Sequence, residues 1–277
     1  MKLAIFTIAL GHDPSYVFIL KAFQQYAKKV NAELIVLKKL QIKLPGKKLS
    51  LAEQAWLQKL YIGKLLKDYD RVLFLDADII INPAAPNIFI EYKNVDYIYM
   101  FNEGEYVKRG LEIEQIRRCL NYNERWIDDD CQRYYNAGVM LCSRQSNLFN
   151  YVNIEELKMI IDAKVSMYEQ TYFNYLIAKY RLPSKNLDPS YNRMSLLGEN
   201  EKRVNAYFIH HAGNGYSVKS VPKHKVICSD YLKFYQKNLL FIEKIQLPYK
   251  IFHWRIYRSL HKLKNSIKKR IPHRNIK

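Results

Sequence analysis

Residues 72–75, Val-Leu-Phe-Leu, run straight into Asp76-Ala77-Asp78 and a second apolar run, Ile79, Ile80 and Ile81. Four consecutive apolar residues are too few for a helix and lack the alternation of a half-exposed strand. They predict a strand covered on both faces, as in a parallel sheet, with its carboxyl end at Asp76. In open α/β sheets ligands sit beyond the carboxyl ends of strands, which places Asp76 and Asp78 where chemistry is usually done. Two carboxylates against an apolar wall call for a compensating cation. Mn²⁺ or Mg²⁺ suits them, because these hard cations take oxygen ligands and keep positions open for substrate phosphates. A second reading stands beside this one: the pair caps the turn leading to Pro83, a position Asp favours.

The pattern around this stretch is βαβ. Residues 3–9 predict a first strand. They are apolar and follow Lys2, but Gly11-His12-Asp13-Pro14 comes next rather than a small-residue cleavage site, so a buried strand is expected in place of a signal peptide. Asp13 and Pro14 predict the N-cap and first position of a helix over residues 16–30, with Ile19, Phe23, Tyr26 and Val30 on one face. Residues 32–37 predict a second strand. Ser50 and Glu53 have capping-box spacing, and Trp56, Leu60 and Gly63 follow at helical spacing before the strand that ends at Asp76. Three strands interleaved with two helices mark a parallel, nucleotide-binding type of sheet.

Further strands are expected at residues 95–101 and 134–142. The second contains Asn136-Ala137-Gly138, where the glycine marks either a close approach or a bulge. Helices are expected over residues 154–163 and 169–179. An apolar run from residue 205 then ends in His210-His211 and Gly213-Asn214-Gly215, a histidine pair beside a loop whose amides can face an anion.

The 277 residues are 49% hydrophobic and 14% aromatic, which excludes a disordered chain and suffices for one large core. Cys119, Cys131, Cys142 and Cys228 show neither zinc-ligand nor disulfide-framework spacing, so reduced thiols of a cytosolic protein are expected. No apolar run approaches the length of a bilayer span. The net charge of +19 is uneven: after Glu243 there are eleven Lys and Arg and no Asp or Glu, which leaves +8 on the preceding residues. Two domains are expected, 1–243 and a tail, 244–277.

Taken together and in this linear order, residues 1 to about 220 resemble the GT-A fold glycosyltransferases. They are most similar to the family 8 type, which includes bacterial lipopolysaccharide galactosyl- and glucosyltransferases and glycogenin. The resemblance implies an α/β fold: a Rossmann-like, mostly parallel central sheet flanked by helices. It implies that Thr7, Ala9, Asp13 and Tyr16 hold the base and ribose of a nucleotide sugar, with UDP-glucose or UDP-galactose expected as donor. Lys59, seventeen residues before Asp76, falls at the family's basic residue near the diphosphate and donor sugar. Asp76 and Asp78 correspond to the metal-binding Asp-x-Asp, and His210, three residues before Gly213, fits the third ligand, with the adjacent His211 leaving the register open by one. Asn136-Ala137-Gly138 matches the donor-sugar segment, and Glu169-Gln170 an acidic-Gln pair near the anomeric carbon. Where the family often has Lys-Pro-Trp after His-x-x-Gly, this chain reads Asn214-Gly215-Tyr216-Ser217-Val218-Lys219, and Lys219 is the candidate for the diphosphate.

These residues suit metal-assisted transfer of a hexose to a glycan or glycolipid acceptor, with charge on the leaving phosphate met by the cation and by Lys59 or Lys219. The resemblance implies retention; the bare residues leave retention and inversion both open. Beyond residue 248, Phe252, Ile256, Leu260, Leu263, Ile267 and Ile271 keep helical spacing between Pro248 and Pro272 amid Lys and Arg. Such a basic amphipathic helix, over residues 249–271, predicts docking on an anionic membrane surface; the bland alternative is packing on the protein itself. A cytoplasmic protein held at the inner face of a membrane is expected. Nucleic-acid binding is the rival that charge suggests, yet the body is only mildly basic and carries no such module, so no nucleic-acid partner is expected. An Asp-x-Asp phosphatase wants Thr or Val where Ile80 stands. A sugar nucleotidyltransferase is disfavoured by the Asn136-Ala137-Gly138 and His210 matches.

Overall fold

The computed structural model describes residues 1–124, 126, 133–217 and 221–235. In chain order its elements are β1 (Leu3–Ile8), α1 (Tyr16–Lys29), β2 (Glu33–Leu37), α2 (Leu51–Leu57), α3 (Tyr61–Leu65) and β3 (Arg71–Leu75). There follow β4 (Ile79–Ile81), α4 (Ile88–Glu91), β5 (Ile98–Asn102), α5 (Gly110–Cys119), β6 (Tyr135–Ser143), α6 (Ile154–Asp162) and α7 (Tyr168–Lys179). The last are β7 (Ser184–Asn186), β8 (Phe208–His210) and α8 (Lys223–Tyr235). The chain divides into two units, Met1–Lys233 and Phe234–Lys277. Both sheets lie in the first. The 243/244 boundary expected from charge, and the tail beyond it, lie outside the described residues.

The central sheet has six strands in the order β2-β1-β3-β6-β5-β7. β1 pairs in parallel with β2 and β3, and β5 with β7; β6 runs antiparallel between β3 and β5. The sheet is therefore mostly parallel, with helices flanking it, the expected α/β architecture. All five residues of β3 are buried, as the unalternating run requires. Ala4, Phe6, Val72, Phe74, Met100 and Met140 join one continuous core with Ile62, Ile113, Ile160 and Phe173 from the helices. Residues of the other parity, Ile5, Leu73 and Leu75, turn to the opposite face and are equally buried. Each such side chain contributes about 2 kcal/mol of burial, which makes β3 the anchor of everything at its carboxyl end.

A second, two-stranded sheet pairs β4 with β8 antiparallel, Ile79 opposite His210. This ladder brings two chain segments 131 positions apart in sequence to one place, and it begins immediately after Asp76-Ala77-Asp78.

Several boundaries differ from the sequence reading. The first helix starts at Tyr16 with Ser15 at the N-cap, and Asp13-Pro14 forms the turn before it: the Asp13 carboxylate accepts the Ser15 N–H at 2.8 Å. The capping box at Ser50 and Glu53 is formed as expected. The helix behind it is interrupted by a 3₁₀ turn at Gln58–Leu60. There Gln58 Oε1 accepts the N–H groups of Gln41 and Ile42 at 2.8 Å, so a tertiary contact overrides the helical period. Cys119, Cys142 and Cys228 are free; Cys131 is outside the described residues.

Candidate functional site

The end of β3 and the ladder after it supply the first three side chains. Asp76 N–H donates to Gly138 O at 2.8 Å, so the first carboxylate is fixed to β6 by its own backbone. His211 N–H donates to Asp78 O at 3.0 Å, extending the β4–β8 ladder by one rung and setting the second carboxylate beside the end of β8. His210 Nε2 then stands 3.2 Å from Asp78 Oδ1 and 3.8 Å from Asp76 Oδ2.

Two carboxylate oxygens and one imidazole nitrogen lie within 4.8 Å of one another. Asp78 Oδ1 is buried and takes no hydrogen bond among the described residues. Two carboxylates converging on one buried imidazole call for a cation or a shared proton between them, and this donor set fits Mn²⁺ or Mg²⁺. His211 is buried elsewhere, its Nε2 3.4 Å from Asp230 Oδ2. His210 is the histidine that reaches the acidic pair.

Gly138 makes the approach possible. A Cβ there would stand 2.2 Å from His210 Cε1 and 2.9 Å from Asn136 Oδ1. The same residue sits in a bulge: Met100 pairs with Met140 but the next residue, Phe101, pairs with Asn136, so residues 137–139 bow out of the β5–β6 register. Close approach and bulge, the two sequence readings, are one feature.

Lys59 closes the side opposite His210. Its Nζ, almost wholly buried, donates to Glu169 Oε1 and Ala137 O at 3.0 Å each and lies 3.3 Å from Asp76 Oδ1. Burial alone would push the ammonium pKa down, but the Asp76 and Glu169 carboxylates hold it above its usual value. Glu169 keeps its second oxygen, Oε2, buried and without a partner among the described residues. Its neighbour Gln170 accepts the Ala137 N–H at 2.9 Å and donates to Glu103 at 2.9 Å. The Glu169-Gln170 pair, Asn136-Ala137-Gly138, Lys59 and the acidic pair thus form one connected cluster.

The first loop lies on the same edge, since β1 is the neighbour of β3. Thr7 is buried in β1 with its hydroxyl unpartnered among the described residues, and Ala9 donates to Leu37 O at 2.9 Å. Tyr16 donates to Leu10 O at 3.1 Å. Its phenol pKa is pushed up to about 12 by burial and then by the charges of Asp13, Asp78 and Asp76, which puts the loop within electrostatic reach of the acidic pair. Gly213 is exposed with φ +59°, and its carbonyl accepts from Lys223 at 3.0 Å. Lys219 lies outside the described residues.

Four participants carried no assignment from sequence. Lys223, at the start of α8, places Nζ 2.7 Å from Asp78 Oδ2. Glu103, paired with Arg109 at 2.8 Å, accepts from Asn136 Nδ2 at 2.9 Å. Asn192 bridges Asn136 and His210 at 3.1 and 2.7 Å. Glu103 lies one residue past β5, where the rule about strand ends would have found it; Arg109 and Lys223 stand at helix starts and Asn192 in a connection, places that no motif marked.

The chain has relatives among known families and folds. Residues 14–216 match the family described as glycosyl transferase family 8. A search of curated proteins returns no match. Among solved structures, the galactosyltransferase LgtC in complex with donor and acceptor sugar analogues superposes with a TM-score of 0.53 at 14% identity, covering 85% of this chain and 100% of that one. A glycosyltransferase involved in glycosylating the major capsid of PBCV-1 gives 0.51 at 13% identity, covering 83% and 100%. Mouse xyloside xylosyltransferase 1 gives 0.51 at 14%, covering 77% and 99%. At these identities the likeness is one of fold, the GT-A fold.

Proposed function

From the premise that the chain belongs to glycosyl transferase family 8 and is a glycosyltransferase, we propose that it moves a hexose from a UDP-sugar to a glycan or glycolipid acceptor, with metal dependence and with retention. The observation that carries the metal-dependent reading is the convergence of Asp76, Asp78 and His210 at the carboxyl end of β3. The family supports the donor class and retention.

In this reading Asp76, Asp78 and His210 hold the cation, Mn²⁺ or Mg²⁺, which when bound stabilises charge on the leaving diphosphate. Lys223 stands at Asp78 and is placed to meet phosphate oxygens there; Lys219 is a second candidate from sequence. Thr7, Ala9, Asp13 and Tyr16 receive the nucleoside on the adjoining strand end, and Gly213 lines the phosphate side. Lys59 neutralises Asp76 and holds Glu169. Glu169 and Gln170, with Asn136, Ala137 and Gly138, face the donor sugar, and Gln170 is fixed from two sides so that its position costs no reorganisation.

No helix among the described residues is long and apolar enough to cross a membrane. Docking at the cytoplasmic face of an anionic membrane through residues 249–271 is part of the proposal and rests on their sequence pattern. It suits an acceptor carried on lipid.

Calorimetric titration with UDP, with and without Mn²⁺, tests the core of the reading. Wild-type protein is expected to bind UDP at least about tenfold more tightly with Mn²⁺, a gain erased in the Asp76→Asn/Asp78→Asn double variant. Binding indifferent to metal and to both substitutions would return the acidic pair to turn capping.

A further inference from the structure

Resting on the metal-site reading above, we propose that Asn192 is a positioning residue that places the proton on His210. A one-way series of hydrogen bonds from the Arg109–Glu103 pair through Asn136 and Asn192 keeps that proton on Nδ1. Nε2, which faces Asp76 and Asp78, is thereby the nitrogen offered to the cation.

The direction follows from groups that have no choice of role. The Glu103 carboxylate, 1% exposed and paired with Arg109 at 2.8 Å, faces the Gln170 and Asn136 amides and takes an N–H from each, Nε2 and Nδ2, at 2.9 Å. The backbone N–H groups of Ala137 and Gly138 can only donate, and they face Gln170 Oε1 and Asn136 Oδ1, each at 2.9 Å. Each of the two amides is therefore oriented from both ends, by an obligatory acceptor and an obligatory donor.

Asn136 Oδ1, already taking the Gly138 N–H, faces Asn192 at 3.1 Å and can be met there only by an amide NH₂. That turns Asn192 Oδ1 to His210 Nδ1 at 2.7 Å, an acceptor that requires a proton on Nδ1. Asn192 is fully buried, so water does not compete for either end. A metal-ligating imidazole is commonly oriented by an outer partner on its other nitrogen, and here that partner is itself set by three residues behind it.

The test uses full-length protein with ¹⁵N-labelled histidine, the His210 signals being assigned by comparison with His210→Gln. In wild-type protein His210 is expected to show a protonated Nδ1, with Nε2 giving up its proton when the site is loaded with diamagnetic Mg²⁺. Asn192→Leu removes the acceptor and is expected to mix or invert the tautomers and to weaken Mn²⁺ binding, with Mn²⁺ alone as the probe, by about 10- to 100-fold. Asn192→Asp keeps an acceptor for Nδ1–H but sets a carboxylate oxygen against Asn136 Oδ1 in place of the amide NH₂, so it should keep Nδ1 protonated at a cost in stability.

A wild-type His210 without a proton on Nδ1, or an Asn192→Leu protein with unchanged Nδ1 protonation and Mn²⁺ affinity, overturns the proposal. Should Asn192→Leu not fold, the wild-type and Asn192→Asp spectra still decide it. Wild-type protein that binds no Mn²⁺ while showing the Nδ1–H tautomer would sink the metal reading and leave the relay standing, so the two fail separately.

Discussion

Gly138 is where a strand and the Asp76, Asp78 and His210 cluster claim the same space. The missing Cβ is what admits the His210 ring, because that atom would lie 2.2 Å from Cε1, far inside van der Waals contact. Gly138→Ala is therefore expected to displace His210 or push β6 outward. The expected cost is about 1–3 kcal/mol of stability in urea unfolding and at least about tenfold in Mn²⁺ affinity. A variant that unfolds and binds Mn²⁺ like wild type would show that His210 does not depend on this gap. Residues of this kind divide by how sequence can reveal them. Asp76, Asp78 and His210 were legible because each terminates an apolar run, and the carboxyl end of a buried strand is where ligands collect. Gly138 was legible as an anomaly within a strand. Asn192 and Lys223 were not, because they reach the site across 18 and 145 positions of sequence, to His210 and Asp78, and neither belongs to a motif. From sequence, Lys219 was put forward for the diphosphate; Lys219 lies outside the described residues, and Lys223, which carried no assignment, stands at Asp78.

Among elements, α8 is tied to the segments flanking β8 through a buried carboxylate. Asp230, fully buried, accepts Arg203 Nε and NH2 at 2.8 and 2.9 Å and lies 3.4 Å from His211 Nε2. The helix that carries Lys223 to Asp78 is thereby pinned to the segment before β8 and to the residue after it. Burial alone would push the Asp230 carboxyl up, but His211 and Arg203 hold it below its usual range. A carboxylate whose folded pKa is depressed contributes stability that is complete above its unfolded value, near 3.9, and is lost as pH falls through the folded value. Asp230→Asn is expected to cost about 3–5 kcal/mol at neutral pH, since it leaves Arg203 largely buried without its counter-charge. In urea titrations from pH 7 down to about pH 3, the gap between wild type and variant should narrow below about pH 4. A gap that stays constant would remove Asp230 as the linked group. Elements themselves were read well where burial is uniform: the apolar runs of β1, β3 and β6 are strands within a residue or two of expectation. They were read less well where side chains leave the local pattern. Gln58 and Lys59 are drawn into tertiary partners, which converts the expected continuous helix into α2, a 3₁₀ turn and α3.

For the whole molecule the question is where a net charge of +19 acts. The first 243 residues carry +8, an ordinary value for solubility, and the last 34 carry +11 with no acidic residue. Concentrating basic residues around a stripe of Phe252, Ile256, Leu260, Leu263, Ile267 and Ile271 combines the two attractions that hold a peripheral helix, apolar burial and anionic lipid. Each well-placed Lys or Arg adds about 1 kcal/mol near an anionic surface. Full-length protein is therefore expected to float with phosphatidylserine-containing vesicles at about 0.15 M salt, where the screening length is about 8 Å. It should float poorly with neutral vesicles, and lose much of its binding at about 1 M salt, where that length falls to about 3 Å. Deleting residues 244–277 should abolish flotation without changing the UDP affinity measured with Mn²⁺. If the apolar stripe instead packs on the protein's own core, flotation of the two proteins will be equal and the deletion will lower the unfolding midpoint. That pair of results would move the charge from membrane capture to plain solvation, and would leave the glycosyltransferase reading of the first unit as it stands.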